Sequence, residues 1–491
     1  MIALIMASLV LIRAGLFPGT GGDDGEQLIF SQYFDWGYQV RNPPLYTWLV
    51  IAVSNVTGAN LWAVNIVKFI LLAAVYLCLW RACLRIFQST EVAAMAALSP
   101  VLFYYVAWET VTGFSHSVLA AAIYAGLFLV LVHLRDGGGH ITDYVWFGAL
   151  IGLGAISKYA FWIFAAALIA AALMDRDLRA RLLSPKIVLS LAVACAIAFP
   201  HYQWLWARAG ALGAQAGTTA AAGGLNAAGA WNALKAALGF LSPFWIIALA
   251  LFPAAVIGMF RRGASGAAAD PMARVIAWQL GLVLAGTLLG ALMLPEFKVR
   301  THYMFALILF PLWFWLRAEA MGISRRRMAL FSMAIAVALF AGPVGMLAKY
   351  LFEPIVCNRC QHHLPYADLA ARLRAEGFTG GTVIAVSHPD PLPGNLRAVL
   401  PEARVISVKH PDIIPPMRNG AGQCLSIWSA DVDYQRRGDG IALANAKLNA
   451  AIPPKTPSKL ISLPLVSPLP GGTDRIATFG MILLPASGDC R

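Results

Sequence analysis

The sequence predicts a polytopic α-helical membrane protein with a small soluble α/β domain at its C-terminal end. Of the 491 residues, 59% are hydrophobic and 12% are charged, whereas soluble proteins are about half apolar and about a quarter charged. Apolar runs of the length that crosses a bilayer, about 20 residues, recur as far as residue 348. The remainder has no such run and is rich in proline, glycine and charge. We therefore divide the chain into a membrane part (1–348) and a C-terminal domain (349–491).

The apolar runs predict about eleven membrane spans. The first run carries Arg13 at its far end and has no basic segment before it. We therefore interpret it as an uncleaved span and not as a cleaved signal peptide. The predicted spans are 1–16, 61–86, 91–107, 114–134, 141–156, 158–174, 187–206, 233–260, 273–294, 300–317 and 327–348. An odd number of spans places the two ends of the chain on opposite sides of the membrane.

The basic residues predict which side of the membrane each loop faces. The formal net charge is +13, and most bases gather in alternate short loops, which is the pattern of cytoplasmic loops. These bases are Arg81, Arg85, Arg135, Arg176, Arg179, Arg181, Lys186, Arg261, Arg262, Arg274, Arg317, Arg325, Arg326 and Arg327. The N-terminus is then cytoplasmic, whereas residues 17–60 and the C-terminal domain are external. Because the charge follows topology, a nucleic-acid partner is not expected.

The first external loop, residues 17–60, begins with three carboxylates within four residues. These are Asp23, Asp24 and Glu26. Two short amphipathic helices are predicted in this loop, at 26–36 and 44–56, and two prolines separate them. The carboxylates could cap the first helix or interact with its dipole. Alternatively, one of them accepts a proton during a reaction at the membrane surface.

A few basic residues fall in the predicted external loops, where membrane topology does not explain them. They are Arg41, Lys158, Arg208, Lys235, Lys298 and Arg300. Each could be an end-residue whose charge reaches the interface, or could bind an anion such as a phosphate. Further polar side chains end spans on the same face, namely Trp108, Glu109, His116 and His302. Carboxylates and cations at one membrane face suit transfer from a lipid-phosphate donor to a hydroxyl.

The C-terminal domain is predicted to be a small α/β layer. A helical pattern covers 364–376 and ends at Gly377, a suitable helix stop. Short β-rich runs predict strands at 382–386, 404–408, 425–428 and 476–484. The glycines of this region lack the spacing of a dinucleotide-binding loop. We therefore predict that the domain caps the membrane part or positions an acceptor.

Four of the seven cysteines lie in the predicted external domain. They are Cys357, Cys360, Cys424 and Cys490. We favour two disulfides, Cys357–Cys360 and Cys424–Cys490, because disulfides persist outside the cytosol. A zinc site with four cysteine ligands is the alternative.

The order of these features resembles the GT-C membrane glycosyltransferases of the protein-mannosyltransferase and aminoarabinose-transferase group. That family has an acidic pair in the first external loop, a following proline-pair segment, a lysine after Ser or Thr, and a late Phe-Lys-x-Arg segment. The matching segments are Asp23-Asp24, Asn42-Pro43-Pro44-Leu45-Tyr46, Ser157-Lys158-Tyr159 and Phe297-Lys298-Val299-Arg300. The resemblance covers residues 1–320.

Within that group the chain looks most similar to the bacterial galacturonosyltransferases that modify lipopolysaccharide core and lipid A. The segments that carry this similarity run from Asp23 to Trp48 and from Ser115 to Val118. Two positions depart from the pattern of relatives. Asn42 stands where the family often has a histidine, and His116 stands where other relatives have an acid in the second external loop.

The resemblance implies a GT-C-like catalytic bundle that moves a sugar, such as galacturonic acid, from a polyprenyl-phosphate donor. The acceptor would be lipid A, lipopolysaccharide core or another periplasmic group. The transfer would invert the anomeric carbon, with Asp23 as catalytic base and Asp24 beside it. The implied ligands of the donor phosphate are Arg41, Lys158, Lys298 and Arg300. The implied acceptor- or sugar-binding residues are Glu26, Tyr46, Trp108, Glu109, His116 and His302.

The resemblance also implies a location and leaves a cofactor open. The protein would lie among the lipids of the bacterial inner membrane, with its active site and its C-terminal domain in the periplasm. A divalent cation is a candidate cofactor, and His116 and Glu109 are the residues that would orient it.

Three other functions remain as alternatives at this point, and one of them is a structural or sensor membrane protein whose C-terminal domain binds partners. Another is a transporter or flippase of lipid-linked sugars, which is expected to have ionisable groups near the bilayer midplane and repeated halves. Lys68 is the only such residue that we identify, and we find no repeat. The third is an enzyme similar to the protein O-mannosyltransferases, which would share the membrane bundle and differ in sugar and acceptor.

Overall fold

The membrane part is a bundle of α-helices in the computed structural model. The structure describes residues 1–208, 226–260, 270–293, 299–358, 360–386, 391–417, 422–471, 474–485 and 488–490. The helices of the membrane part are α1 (Ile2–Gly15), α2 (Gly22–Phe30), α3 (Leu45–Thr57), α4 (Leu61–Ile86), α5 (Thr90–Leu98), α6 (Thr110–Thr112), α7 (Ser115–Arg135), α8 (Ile141–Ala155), α9 (Phe161–Leu173), α10 (Arg176–Leu182), α11 (Ile187–Trp206), α12 (Ala227–Phe240), α13 (Phe244–Leu251), α14 (Pro253–Phe260), α15 (Pro271–Met293), α16 (Phe310–Met321) and α17 (Arg325–Val356).

Five of the described helices are long and apolar enough to cross a membrane. They are α4, α7, α11, α15 and α17. Shorter apolar stretches, of 10 to 17 residues, cover Ile2–Gly15, Leu45–Thr57, Thr90–Leu102, Ile141–Ala155 and Phe161–Leu173. The structure therefore confirms a helical membrane protein, whereas the number of about eleven spans and their orientation stay predictions.

Proline explains one difference between the predicted and the observed helices. The predicted span 233–260 is divided among α12, α13 and α14, and Pro243 and Pro253 stand at the two breaks. Proline lacks the backbone N–H that an unbroken helix needs and clashes with the preceding turn. In contrast, α17 continues to Val356, so the predicted domain boundary at residue 348 lies inside a helix.

The C-terminal domain is built around a five-stranded mixed sheet. The strands are β1 (Gly381–Val386), β2 (Arg404–Ser407), β3 (Gln423–Ser429), β4 (Lys459–Pro464) and β5 (Ile476–Pro485), in the order β2-β1-β3-β5-β4. The helices of the domain are α18 (Tyr366–Ala375), α19 (Pro391–Val399), α20 (Ala430–Asp433) and α21 (Arg437–Leu448). β1 is parallel to both β2 and β3, whereas β5 is antiparallel to β3 and β4.

The central strand shows why this segment forms the middle of the sheet. β1 reads Gly-Thr-Val-Ile-Ala-Val, and a parallel strand with layers on both faces is apolar throughout. Val383 and Ala385 pack into one core with Leu369 of α18. Ile384 and Val386 pack into the opposite core. The structure has a helix and four strands at the positions of the predicted ones, and it also contains β4, α19, α20 and α21.

The four cysteines of this domain form two disulfides, Cys357–Cys360 and Cys424–Cys490. The first closes a short loop directly after α17. The second ties the C-terminal end of the chain to the sheet, because Cys424 lies on β3. The sulfurs are therefore paired with each other and are not arranged as ligands of the alternative zinc site.

Candidate active site

A cavity of 460 Å³ lies where the first loop, the turn between α8 and α9, the segment after residue 298 and the C-terminal domain meet. Its charged lining residues are Asp23, Glu26, Arg41, Lys158, Arg300 and Lys409. Aromatic side chains complete its wall, among them Phe114, Tyr159, Phe164 and Tyr303. The cavity combines two carboxylates, four cations and an apolar surface, so we call it the reaction cavity.

Helix α2 directs its three carboxylates to different surroundings. The helix begins at Gly22, whose φ of +47° suits glycine, and Asp23 and Asp24 occupy its first turn. The helix dipole favours acids at this end. Asp23 and Glu26 are three residues apart, so they share one face of the helix and both line the reaction cavity. Asp24 lies on the buried face.

Asp24 is enclosed in an ion-pair network and does not line the reaction cavity. Its side chain has 0% exposure. Lys68 Nζ donates to Oδ2 at 2.6 Å, and Arg13 Nη2 lies 3.9 Å from the same oxygen. Ser115 Oγ donates to Oδ1 at 2.9 Å. Both oxygens of Asp24 therefore have partners, and Lys68 is explained as the counter-ion of a buried carboxylate.

The surroundings of Asp23 favour its neutral form. Burial raises the pKa of Asp23, and the negative charges of Glu26 and Asp24 raise this pKa further. Lys68 and Lys158 oppose these effects without reversing them. A carboxylate with a raised pKa beside a cavity is a candidate for proton transfer.

Glu26 has a different environment although it stands on the same helix face. Burial alone would raise its pKa, but the hydrogen bond and positive charge of His410 and the charge of Lys409 lower the pKa of Glu26 below its ordinary value. Its oxygen Oε1 lies 3.0 Å from His410 Nε2 and 3.6 Å from Lys409 Nζ. Gln39 Nε2 donates to Oε2 at 3.3 Å. Glu26 is therefore paired with Lys409 and lies within hydrogen-bonding distance of His410, and its lowered pKa makes it a poorer proton acceptor than an ordinary glutamate.

The predicted phosphate-binding residues that the structure describes all line the reaction cavity. Lys158 lies in the turn before α9, where its Nζ donates to Ser117 Oγ at 2.6 Å and stands 4.8 Å from the ring centre of Tyr303. Arg41 and Arg300 are exposed at its mouth. Lys298, the fourth predicted ligand, lies outside the described residues.

His116 is held by a chain of side-chain hydrogen bonds. Thr47 Oγ1 donates to Gln27 Oε1 at 2.7 Å, and Gln27 Nε2 lies 3.2 Å from His116 Nε2. Because the Gln27 nitrogen can only donate, His116 Nε2 is the acceptor of this hydrogen bond. Tyr46, another predicted sugar-binding residue, is fully buried against the ring of His116. His116 therefore lines the reaction cavity, whereas Tyr46 packs against the His116 ring and does not line the cavity.

A second cavity of 830 Å³ adjoins the reaction cavity. The residues shared by the two walls are Phe114, Val299, Arg300 and His302. The rings of Phe114 and His302 stack at 4.6 Å between their centres. Glu109 and Lys235 line the second cavity only. Trp108 lines neither cavity and instead lies against Gly345 of α17.

The C-terminal domain docks directly on helix α2. A methyl group at Gly394 of α19 would lie 2.2 Å from the carbonyl oxygen of Gly25, so the two backbones touch and a larger residue does not fit. The side chain of Gln32 accepts from Val405 N at 2.8 Å and donates to Val405 O at 2.7 Å, as a neighbouring strand would. These contacts place Lys409 and His410, which the sequence analysis did not identify, beside Glu26.

The described residues contain no cluster of three or more histidine, cysteine and acidic side chains that could hold a metal ion. His116 and Glu109, the predicted pair for a divalent cation, stand on the walls of different cavities. We therefore assign no metal ligands.

The family profile and the two relatives that match this chain are all described as glycosyltransferases. The profile of the family described as dolichyl-phosphate-mannose-protein mannosyltransferase matches residues 41–204. The lipopolysaccharide core galacturonosyltransferase RgtB of Rhizobium johnstonii is 27% identical over 84% of this chain and 84% of its own length. RgtA of the same organism is 26% identical, over 83% of this chain and 81% of its own length.

Solved structures share the fold at low sequence identity. The structure of ArnT from Cupriavidus metallidurans bound to undecaprenyl phosphate has a TM-score of 0.63, 12% sequence identity and 97% coverage of both chains. The apo structure of the same protein has a TM-score of 0.60 and 13% identity, and covers 97% of this chain and 96% of its own. The membrane bundle and the C-terminal domain are therefore arranged together as in one known architecture.

Proposed function

We propose that this chain, which is similar to the lipopolysaccharide core galacturonosyltransferases RgtB and RgtA and shares the fold of ArnT, is a membrane glycosyltransferase of the GT-C type that transfers galacturonic acid from a polyprenyl-phosphate donor to lipopolysaccharide core or lipid A. The reaction would take place at the periplasmic face of the bacterial inner membrane. The observation that carries this proposal is the reaction cavity, in which Asp23 stands among Arg41, Lys158 and Arg300. A base and phosphate-binding cations are the groups that such a transfer needs.

The proposed chemistry is a single displacement. Asp23 accepts the proton of the acceptor hydroxyl, and the hydroxyl oxygen forms a bond to the anomeric carbon of the sugar. The bond between that carbon and the phosphate oxygen breaks on the opposite side, so the configuration inverts. Polyprenyl phosphate leaves with the bonding electrons, and Lys158, Arg41 and Arg300 balance its charge. The raised pKa of Asp23 makes it a stronger base than an ordinary aspartate.

The two aspartates of the motif are proposed to have separate roles. Asp23 faces the reaction cavity and carries the chemistry. Asp24 holds helix α2 on the bundle through Lys68, Arg13 and Ser115, so it acts as a positioning residue. The second cavity, with Glu109 and Lys235, is the proposed route of the acceptor because its wall shares Phe114, Arg300 and His302 with the reaction cavity.

A transfer assay with the purified protein tests this proposal. We expect a synthetic polyprenyl-phosphate galacturonic acid to lose its sugar to a lipopolysaccharide core acceptor, and mass spectrometry to find the uronic acid on the product. Transfer of mannose to a protein acceptor instead would favour the alternative enzyme class. Movement of the donor across proteoliposomes without any transfer would favour the flippase.

The pH dependence of the reaction should report the state of Asp23. Because the base acts only when it is ionised, we expect kcat/KM to fall as the pH decreases through an apparent pKa above the ordinary aspartate value of about 3.9. The measurement is a pH profile of kcat/KM for the purified protein. An acidic limb with its midpoint at or below about 4 would contradict the assignment.

A further inference from the structure

The positive charges of the reaction cavity come from two different parts of the chain. Arg41, Lys158 and Arg300 belong to the membrane part. Lys409 lies just after strand β2 of the C-terminal domain and lines the same cavity. The domain therefore supplies a charged group to the site and does more than cover it.

The two sources of charge act on different carboxylates. Lys158 is among the cations that act on Asp23, and it lines the cavity together with Arg41, Arg300 and His302. Lys409 acts with His410 on Glu26. The cavity wall thus combines cations of the membrane part with Lys409 of the C-terminal domain, which lies beside Glu26. A donor phosphate next to Asp23 would be bound by the cations of the membrane part.

Lys409 is held in place by a contact of its side chain and by contacts of the domain segments beside it. Glu26 holds it by an ion pair at 3.6 Å, and this distance is longer than a hydrogen bond. The backbone of β2 is bound to the first loop through Gln32, and α19 rests on α2 at Gly25. The ammonium is therefore held near one place relative to Asp23, and an ammonium has three N–H donors to share among anions.

We propose that Lys409 binds the carboxylate of a uronic acid donor and thereby selects uronic acids over neutral sugars. This inference rests on the proposed function. In a uronic acid linked to phosphate through its anomeric carbon, the second negative charge is on the substituent at C5, away from the phosphate. A site for such a donor needs cations for the phosphate and a further cation for the carboxylate, and the cavity wall holds Lys409 in addition to Arg41, Lys158 and Arg300. Glu26 is then a positioning residue that holds Lys409.

The test compares two donors on one protein preparation. Polyprenyl-phosphate galacturonic acid and polyprenyl-phosphate galactose differ only in the carboxylate at C6, and their ratio of kcat/KM does not depend on the fraction of folded protein. We expect K409Q to lower kcat/KM for the uronic acid roughly 10- to 100-fold more than kcat/KM for galactose, which is the effect of losing one charge-assisted hydrogen bond. K409R keeps the charge and should keep most of the preference.

The matched control is K447Q. Lys447 belongs to the same domain, is exposed, and pairs with Asp412 at 2.9 Å away from the reaction cavity. We expect this variant to leave both donors unaffected. If K409Q transfers the uronic acid and the ratio of kcat/KM for the two donors is unchanged, this inference is overturned and the proposed function stands. An equal loss for both donors would also overturn it. Failure of the unaltered protein to transfer the uronic acid would overturn the proposed function together with this inference.

Discussion

Replacing Asp23 by asparagine should abolish most of the activity while making the folded protein more stable. Asparagine keeps the size of the side chain but cannot accept the proton of the acceptor hydroxyl. Loss of a general base lowers kcat by roughly 10²- to 10⁴-fold, and the donor and acceptor contacts are left in place. We therefore expect the loss in kcat, with KM for the donor changed little.

The gain in stability follows from the sign of the pKa shift. The pKa of Asp23 is raised in the folded state by burial and by Glu26 and Asp24, so the folded protein binds this proton more tightly than the unfolded chain does. The neutral form of Asp23 favours folding at low pH, and this contribution is lost as the pH rises through the folded-state pKa. At neutral pH the ionised side chain is therefore unfavourable, and the neutral amide of D23N removes the cost.

Thermal unfolding in detergent and transfer kinetics, measured on the same preparations at neutral pH, test both halves of this expectation. The control is D35N, which removes a carboxylate from the same loop outside the reaction cavity. D35N should retain activity. An active D23N variant would refute the role of Asp23 as base, and a destabilised one would refute the electrostatic argument.

The sequence was informative where one physical signal decides the structure. Apolar runs predicted the membrane helices, and β1 was predicted because residues 382–386 form a short run rich in β-forming residues. The prediction of span 233–260 differed from the structure because the two prolines in it were given no weight. Strand β4 was missed because it lies at the sheet edge, where half-exposed residues carry little periodicity.

The site was predictable in position but not in its division of roles. Adjacent aspartates look alike in a sequence, and only the direction of α2 against the bundle separates Asp23 from Asp24. Lys68 was an unexplained charge until its partner across the bundle was known. Lys409 and His410 lie far along the chain from Glu26, and the contact depends on how the domain docks. No local pattern could have signalled it.

Replacing Asp24 should have the opposite consequence for stability. Asparagine at this position leaves Lys68, with 0% exposure, and Arg13, with 1% exposure, without their carboxylate. Removing one partner of a buried ion pair costs about 3–5 kcal/mol, because an uncompensated charge remains in the interior. We expect D24N to lower the free energy of unfolding by about this amount, and to lower activity because α2 is no longer held in place.

A double-mutant cycle with Lys68 separates positioning from chemistry. Replacing both partners, as in D24N with K68M, removes the uncompensated lysine, so we expect the double variant to be more stable than D24N alone and the coupling energy to be large. The control S115A removes one hydrogen bond to Asp24 and should cost about 1 kcal/mol. Denaturation in detergent and transfer kinetics on the unaltered protein, D24N, K68M, the double variant and S115A provide the readout. Because Asp24 acts through the helix it anchors, activity should recover in parallel with stability. If stability returned while activity stayed lost, Asp24 would itself take part in the reaction, and the separation from Asp23 would have to be abandoned.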